Sequence, residues 1–194
     1  MGGEGEAVEV IGQKKVMVVE RRLKTGEALL RFAMLALAIL SAVRVATDKQ
    51  TRDIFGIHKT AKFTDVKALL VLVVMNGIVA SYSFVRGLIC VLSLYTGSSV
   101  LSKPLAWLFF GFDQTIAYLI LGAAAAATES AYLAKRGQSE FQWIKVCDFY
   151  GKFCNQIGEG LVSAFFVSLC MITVSGMSAY NLFRLYGTKG KSIH

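Results

Sequence analysis

Proline and charged residues are both scarce in this sequence of 194 residues. Pro104 is the only proline, and Asp, Glu, Lys and Arg together make up 18% of the chain, below the roughly 25% of soluble domains. One proline beside 18 glycines argues against a collagen-like or disordered proline-rich chain. Apolar residues, in contrast, make up 55% of the chain. The composition therefore predicts a membrane protein rather than a soluble one.

Residues that commonly carry chemistry are also few. The sequence has two histidines, His58 and His194, and both lie outside the long apolar blocks. It has no Cys-x-x-Cys, no zinc-ligand spacing, no glycine-rich phosphate loop and no serine nucleophile in a recognisable setting. Cys90 and Cys170 fall inside apolar blocks and are expected to pack as small apolar side chains. These absences predict a protein that is not an enzyme and that uses no cofactor or metal.

The net charge of +8 does not indicate nucleic-acid binding, because the basic residues are spread over tails and loops without a binding motif. Five of them precede the first apolar block: Lys14, Lys15, Arg21, Arg22 and Lys24. Bases at this position fix the orientation of the first helix, and they also meet anionic lipid at a cytosolic membrane face. Membrane lipid is therefore an expected partner, and nucleic acid is not.

Four apolar blocks have the length of membrane-spanning helices, since a helix needs roughly 20 apolar residues to cross the hydrocarbon. They cover about residues 27–46, 67–95, 105–134 and 157–184. The fold class predicted is all-α, a four-transmembrane-helix bundle over residues 25–187. Pro104 suits the first turn of the third helix, where its missing N–H costs nothing.

The segments between the blocks are predicted to be loops and tails. Outer loops are expected at residues 47–66 and 135–156, and a short turn at 96–104 joins the second and third helices. A flexible N-terminal tail, residues 1–24, and a C-terminal tail, residues 188–194, are both expected in the cytosol. An even number of spans puts the two tails on one side, and the bases near both chain ends favour the inside.

Two opposite charges, Arg31 and Asp113, fall within the first and third blocks. With both helices running outward, the two residues lie about 6 and 12 Å from the helix starts, at about 1.5 Å per residue. An isolated charge in hydrocarbon is costly, so the two side chains are predicted to form an intramembrane ion pair. Small residues beside them predict that the first and third helices approach closely. Three other charges, Arg86, Glu129 and Glu159, are predicted to be interfacial.

An ion or proton relay is the alternative role for Arg31 and Asp113, because ionisable residues inside membranes commonly serve transport. The sequence has no continuous series of acidic or histidine residues through the spans. An architectural role for the pair is therefore the favoured interpretation.

Small residues recur at four-residue spacing on the third and fourth blocks. The third-block ridge is Gly122, Ala126 and Ser130, and the fourth-block ridge is Gly160, Ala164 and Ser168. Such rows allow helix backbones to approach closely in lipid. Either the two ridges pack the third helix against the fourth within one protomer, or they serve assembly between protomers.

Cys147 and Cys154 lie close together in the second outer loop, near Trp143. In an oxidising compartment this spacing permits a small disulfide ring, which chain-entropy arithmetic values at about 2 to 3 kcal/mol. Two free loop thiols are the alternative.

Several segments together resemble the plant Casparian strip membrane domain proteins (CASPs) and their CASP-like relatives. They are LLRFAMLALAIL, FFGFDQTIAYLILGAAAAAT and QWIKVCDFYGKFCNQIGEG. The second CASP-like subgroup is most similar through KFTDVKALLVLVVMNGIVASYSF, SKPLAW and YNLFRLYG. The resemblance covers about residues 25–187. The family's intramembrane Arg and Asp fall on Arg31 and Asp113, and its outer-loop cysteine pair falls on Cys147 and Cys154.

This resemblance implies a multi-pass plasma-membrane protein, distantly MARVEL-like, that forms homo- and hetero-oligomers with its relatives. In the founding members, oligomers form an immobile platform that guides local cell-wall modification. Secreted wall-modifying enzymes are accordingly expected as partners of the outer loops. The first outer loop, IHKTAKFTDVKAL, lacks the Phe-rich acidic stretch typical of those members. The resemblance therefore implies a general scaffold role rather than the endodermal barrier. The alternative function is a small channel or transporter that uses Arg31 and Asp113.

Overall fold

A computed structural model describes residues 3–54, 57–96, 103–137 and 145–187. Its long helices are α1 (Gly3–Ala46), α2 (Lys67–Thr96), α3 (Lys103–Arg136) and α5 (Gly151–Gly187), with a four-residue helix α4 (Val146–Phe149) before the last. Strands β1 (Lys49–Ile54) and β2 (Ile57–Lys62) form an antiparallel hairpin between α1 and α2, followed by a 3-10 turn at Phe63–Asp65. Each long helix contains a segment long and apolar enough to cross a membrane. The predicted four-helix membrane bundle is confirmed.

The buried residues of α1 show why the helices pack as a bundle. Arg31, Met34, Ala38, Ser41 and Val45 are all fully buried, and their alternating three- and four-residue spacing puts them on one helical face. The opposite faces of the helices expose large apolar side chains, such as Val74 and Phe84 on α2 and Phe165 and Phe166 on α5. A bundle that is partly polar inside and apolar outside is arranged for contact with lipid.

The helices form a ring in the order α1, α2, α3, α5, in which each helix packs against two neighbours. Helices α1 and α3 therefore lie diagonally opposite, and the predicted close approach of the first and third helices is wrong. Helices that follow one another along the chain usually pack beside each other. This places α2 between α1 and α3 on one side of the ring, and α5 takes the other side.

We call the end of the bundle where α1 begins and α5 ends the termini end, and the opposite end the hairpin end. At the termini end, α1 starts at Gly3, so the segment predicted to be a flexible tail, residues 1–24, is helical from residue 3. No proline interrupts this segment. At about 1.5 Å per residue, 44 residues make a helix of about 66 Å, and the part able to cross a membrane starts at Met17. The predicted C-terminal tail, residues 188–194, lies outside the described residues.

At the hairpin end, the first predicted outer loop contains regular structure. Lys49 pairs with Lys62 and Thr51 with Thr60 in the hairpin, and the two threonine hydroxyls are 3.0 Å apart. The hairpin is attached to the last long helix, because the Phe153 amide of α5 donates a hydrogen bond of 3.0 Å to Gln50 Oε1. Helix α5 begins at Gly151, earlier than the predicted residue 157.

The two small-residue ridges do not pack against each other. Gly160, Ala164 and Ser168 are buried, whereas Gly122 and Ala126 are exposed and Ser130 is half-buried. The α5 ridge faces α1 at Gly160, where an added Cβ would lie 2.6 Å from Val45 Cγ2. The interpretation that the ridges pack the third helix against the fourth is therefore wrong, because the α3 ridge points away from the bundle.

Candidate functional site

A cluster of charged and polar side chains lies inside the bundle toward the termini end, and all four long helices contribute to it. We call it the charge cluster. Its members are Glu27 and Arg31 of α1, Tyr82 and Arg86 of α2, Asp113 of α3 and Ser178 of α5.

The structure brings Arg31 and Asp113 together at the centre of the charge cluster. Arg31 Nη2 donates a hydrogen bond of 2.9 Å to Asp113 Oδ2, and both side chains are 0% exposed. The Arg31 side chain is long enough to reach Asp113 through the bundle interior, although α1 and α3 are not neighbours in the ring. The pair crosses the bundle from one side to the other.

A second pair, Glu27 and Arg86, adjoins the first. Arg86 Nη2 donates to Glu27 Oε1 over 3.1 Å, and Arg31 Nη2 lies 3.3 Å from the same oxygen. Arg86 Nη2 is also 3.9 Å from Asp113 Oδ2. Two guanidinium groups thus alternate with two carboxylates, and the four formal charges cancel.

The interfacial location predicted for Arg86 is wrong, because its side chain is 6% exposed and paired with Glu27. Arg86 lies ten residues before the end of α2, which extends beyond the charge cluster. Sequence reasoning did not select Glu27, which stands at the edge of the first apolar block. The four-residue spacing of Glu27 and Arg31, which puts an acid and a base on one helical face, was the signal available.

Four further contacts hold Asp113 and the two arginines in place. Tyr82 donates its hydroxyl to Asp113 Oδ1 over 2.8 Å, and Ser178 donates to Asp113 Oδ2 over 2.9 Å. The Arg31 guanidinium lies 5.4 Å from the Tyr82 ring centre, and the Arg86 guanidinium lies 4.2 Å from the Phe109 ring centre. Aromatic faces at these distances attract a guanidinium group. Every carboxylate oxygen of Asp113 therefore has a donor, as expected for a cross-link between helices.

A smaller polar contact lies between the charge cluster and the hairpin end. Asn76 Nδ2 donates to Ser41 Oγ over 3.2 Å and to the Leu72 carbonyl over 2.9 Å, and Ser41 Oγ donates to the Gly160 carbonyl over 2.9 Å. Asn76 and Ser41 are fully buried. These bonds connect α1, α2 and α5.

The hairpin end carries the disulfide and an exposed ion pair. Cys147 of α4 is bonded to Cys154 in the first turn of α5, with 5.7 Å between their Cα atoms. Arg44 and Glu159 form a bridge of 2.9 Å with both side chains about half exposed, and the interfacial location of Glu159 stays a prediction. Glu129 is exposed on α3. Trp143 lies outside the described residues.

Asp48 is a buried titratable group at the hairpin end. Its residue is 4% exposed, and burial raises the pKa of its carboxyl from 3.8 to about 6, although the charge of Lys152 opposes the shift. Across the ranges that the structure describes, no three His, Cys, Asp or Glu side chains come together as metal ligands.

Residues 20–170, which include the Arg31–Asp113 pair and both disulfide cysteines, match the family model of the Casparian strip membrane protein domain. The chain belongs to this family. A CASP-like protein 2BC2 of Picea sitchensis is 72% identical over 177 residues, which cover 91% of this chain and 74% of the relative. The CASP-like protein 2B1 of Vitis vinifera is 54% identical over 186 residues, covering 95% and 92%.

A third relative, the CASP-like protein 2B2 of Arabidopsis thaliana, is 50% identical over 173 residues, covering 89% of this chain and 86% of the relative. The predicted resemblance to the second CASP-like subgroup is confirmed, since the relatives carry 2B-type names. No solved structure matches this CASP-like chain.

Proposed function

We propose that this CASP-like protein is a non-catalytic scaffold of the plasma membrane, which assembles with copies of itself and with its relatives into a membrane platform. The observation that carries the proposal is the contrast between the two ridges. The α5 ridge is buried inside the bundle, whereas Gly122 and Ala126 of the α3 ridge are uncovered.

The α3 ridge supplies a surface on which another helix fits closely. A Cβ placed at Gly122 would meet no atom within 4 Å, so the space beside it is open. Large side chains dominate the lipid faces of the neighbouring helices, such as Phe84 and Leu92 on α2 and Phe165 and Phe166 on α5. In lipid, small residues favour helix contact because backbones approach and gain van der Waals packing. The proposed occupant is α3 of a second protomer.

The charge cluster supports an architectural role for the interior. Its two positive and two negative side chains neutralise one another, and Asp113 accepts hydrogen bonds from three other helices. A carboxylate engaged in this way is used for holding helices together. The buried groups therefore stabilise one bundle shape, which a repeating assembly needs.

The proposed orientation puts both chain ends in the cytosol and the hairpin end outside the cell. The Cys147–Cys154 disulfide supports it, because disulfides persist in oxidising compartments. In this orientation the hairpin and the disulfide loop face the wall, where secreted wall-modifying enzymes are the proposed partners. Lipid surrounds the apolar faces of the bundle.

The assembly is tested by sizing the full-length protein in a mild detergent with light scattering over a range of concentrations. We expect oligomers for the unmodified protein and a lower oligomer fraction for Gly122→Leu. Gly77→Leu is the matched control, because Gly77 is also exposed and a Cβ there would meet no atom within 4 Å. Monomers at every concentration would rule out the scaffold proposal. An equal decrease of the oligomer fraction in both variants would rule out the α3 ridge as the contact surface.

A small channel or transporter is the second candidate, favoured by the buried ionisable residues Arg31 and Asp113. It requires that liposomes containing the purified protein pass ions or small solutes, and that Asp113→Asn abolish this flux. Tight liposomes with folded, oligomeric protein would exclude this candidate and leave the scaffold.

A further inference from the structure

The interior of the bundle contains polar atoms beyond those of the ion pairs. Asn76 Oδ1, Ser83 Oγ and Arg86 Nε are buried and have no hydrogen-bond partner within the described part of the chain, and the same holds for Nε and Nη1 of Arg31. Asn76, Ser83 and Arg31 are 0% exposed, and Arg86 is 5% exposed. A serine inside a helix commonly bonds a carbonyl of the preceding turn, and the Ser83 hydroxyl does not.

These atoms lie along one side of α2. Asn76, Ser83 and Arg86 are separated by seven and three residues, a spacing that returns to the same helical face. At about 1.5 Å per residue, Asn76 and Arg86 are about 15 Å apart along the helix. Arg31 lies beside Arg86, because the Nη2 atoms of both residues approach Glu27 Oε1, at 3.3 and 3.1 Å. The polar atoms therefore extend from the charge cluster toward the middle of the bundle.

The chemistry of the unpaired atoms limits what can bind them. A guanidinium N–H only donates, a side-chain carbonyl oxygen such as Asn76 Oδ1 only accepts, and a serine hydroxyl does both. A fully deprotonated anion has no proton to give to Asn76 Oδ1, and the two arginines already face two carboxylates. A metal cation has no lone pair to accept from the arginines. A small neutral molecule that both donates and accepts fits all of these atoms.

We propose that the bundle binds water at Ser83 and Asn76 and against the unpaired nitrogens of Arg31 and Arg86. Buried waters characteristically satisfy such polar groups inside proteins. They solvate the two arginines and so make their position inside the bundle less costly. This inference does not depend on oligomer formation.

The water sites end at Asn76 because the packing beyond it is apolar and close. Val45, Leu69 and Leu72 are buried on the hairpin side of Asn76. At the same level Gly160 approaches α1 so closely that a Cβ would lie 2.6 Å from Val45 Cγ2. Asp48 Oδ2 is a further buried atom without a partner among the described residues, and it lies at the hairpin end, beyond this apolar layer. The proposed waters therefore extend from the charge cluster to Asn76, and the apolar layer separates them from Asp48, so water does not cross the bundle.

Water-edited solid-state NMR of the full-length protein in lipid bilayers tests the water sites directly. We expect early transfer of magnetisation from water to the side chains of Asn76 and Ser83, and none to Val45 or Leu72 at the same mixing time. Absence of transfer at Asn76 and Ser83 overturns the proposal. Equal transfer to Val45 and Leu72 also overturns it, because water would then pass the apolar layer.

A pair of matched variants provides a second test. Ser83→Ala removes a hydroxyl with a proposed water partner, and Ser168→Ala removes a buried hydroxyl that donates to the Ala164 carbonyl over 2.9 Å. The gain in helix propensity is the same in both variants. We expect Ser83→Ala to lower the melting temperature about as much as Ser168→Ala does. Removing a hydroxyl that has no partner at all would raise the melting temperature. A higher melting temperature for Ser83→Ala therefore overturns the proposal.

Discussion

Arg31 on α1 and Asp113 on α3 meet across the centre of the bundle, with 2.9 Å between Nη2 and Oδ2. Their helices are diagonal partners rather than neighbours in the ring. Tyr82 of α2 and Ser178 of α5 donate to the same carboxylate. One side chain of α3 is thus bonded to each of the other three long helices, so changes at Asp113 are expected to affect the whole bundle.

Replacing either Arg31 or Asp113 alone by alanine leaves a buried charge without its partner. Breaking a buried pair costs about 3 to 5 kcal/mol, so each single variant is expected to unfold at a lower temperature in detergent. The double exchange Arg31→Asp with Asp113→Arg restores opposite charges and is expected to recover part of the loss. A double variant no more stable than the single ones contradicts the pairing.

The Glu27–Arg86 pair is tested by a double-mutant cycle with Glu27→Gln and Arg86→Gln. Because both side chains are nearly buried, a coupling free energy of about 1 to 3 kcal/mol is expected. Arg44 and Glu159 are the matched control, since they are also about 3 Å apart but half exposed, and exposed pairs contribute at most about 1 kcal/mol. Equal coupling in the two cycles would show that burial adds nothing to this pair.

Gly160→Ala is expected to destabilise the bundle, because the new methyl group meets Val45. The side chain of a β-branched residue in a helix has little rotamer freedom, so overpacking here costs about 1 to 3 kcal/mol. Gly122→Ala is the control, since its Cβ meets no atom within 4 Å and alanine gains up to about 1 kcal/mol of helix propensity. Thermal unfolding of monomeric protein in detergent measures both. Similar effects of the two changes would contradict the close α1–α5 packing.

Cys147→Ser is expected to lower stability by about 2 to 3 kcal/mol through loss of the short ring. In unmodified protein, Cys147 and Cys154 are expected to react with an alkylating reagent only after reduction, seen as a shift on a denaturing gel. Cys90→Ser and Cys170→Ser are the controls, because both of these thiols are free. Reaction of Cys147 and Cys154 without a reductant would show that they are thiols.

Asp48 is expected to make stability depend on pH. Its pKa is about 6 in the folded protein and 3.8 ordinarily, so the folded state binds the proton more tightly. The free energy of unfolding should therefore fall as the pH rises from about 4 to about 6, by up to about 3 kcal/mol. Asp48→Asn should remove this dependence and raise stability at pH 7. Asp148→Asn, at an exposed position, is the control, and an unchanged slope in Asp48→Asn would contradict the assignment.

Much of the fold can be predicted from the sequence because few backbone structures can span the hydrocarbon of a membrane. Apolar length predicts α2 as residues 67–95, and the structure has Lys67–Thr96. Arg31 and Asp113 can be paired from the sequence, because they are opposite charges at similar depth on two helices that run in the same direction. Glu27 stands at the edge of its block, where both the interface and the interior are open to a charged side chain. Arg86 lies on a helix that runs in the opposite direction, and its pairing with Glu27 needed the structure.

Other features depend on which face of a helix points into the bundle, and residue spacing does not show which face that is. Gly122 and Gly160 occupy similar four-residue patterns, yet one faces outward and the other faces α1. The hairpin was also missed, because its strands are polar on both faces and show no alternation of apolar residues. Neither the facing of a ridge nor the order of the helix ring is encoded in local pattern.

The bonds across the charge cluster also have a mechanical consequence. Four helices that contact each other only around the ring can shift sideways, so that their arrangement in cross-section changes from a square to a rhombus. The Arg31–Asp113 ion pair joins two diagonally opposite helices and so opposes that deformation. Changes in lateral pressure or bilayer thickness would then move each bundle as a rigid unit. If bundles assemble as proposed, their constant outline allows them to tile a membrane in a regular lattice.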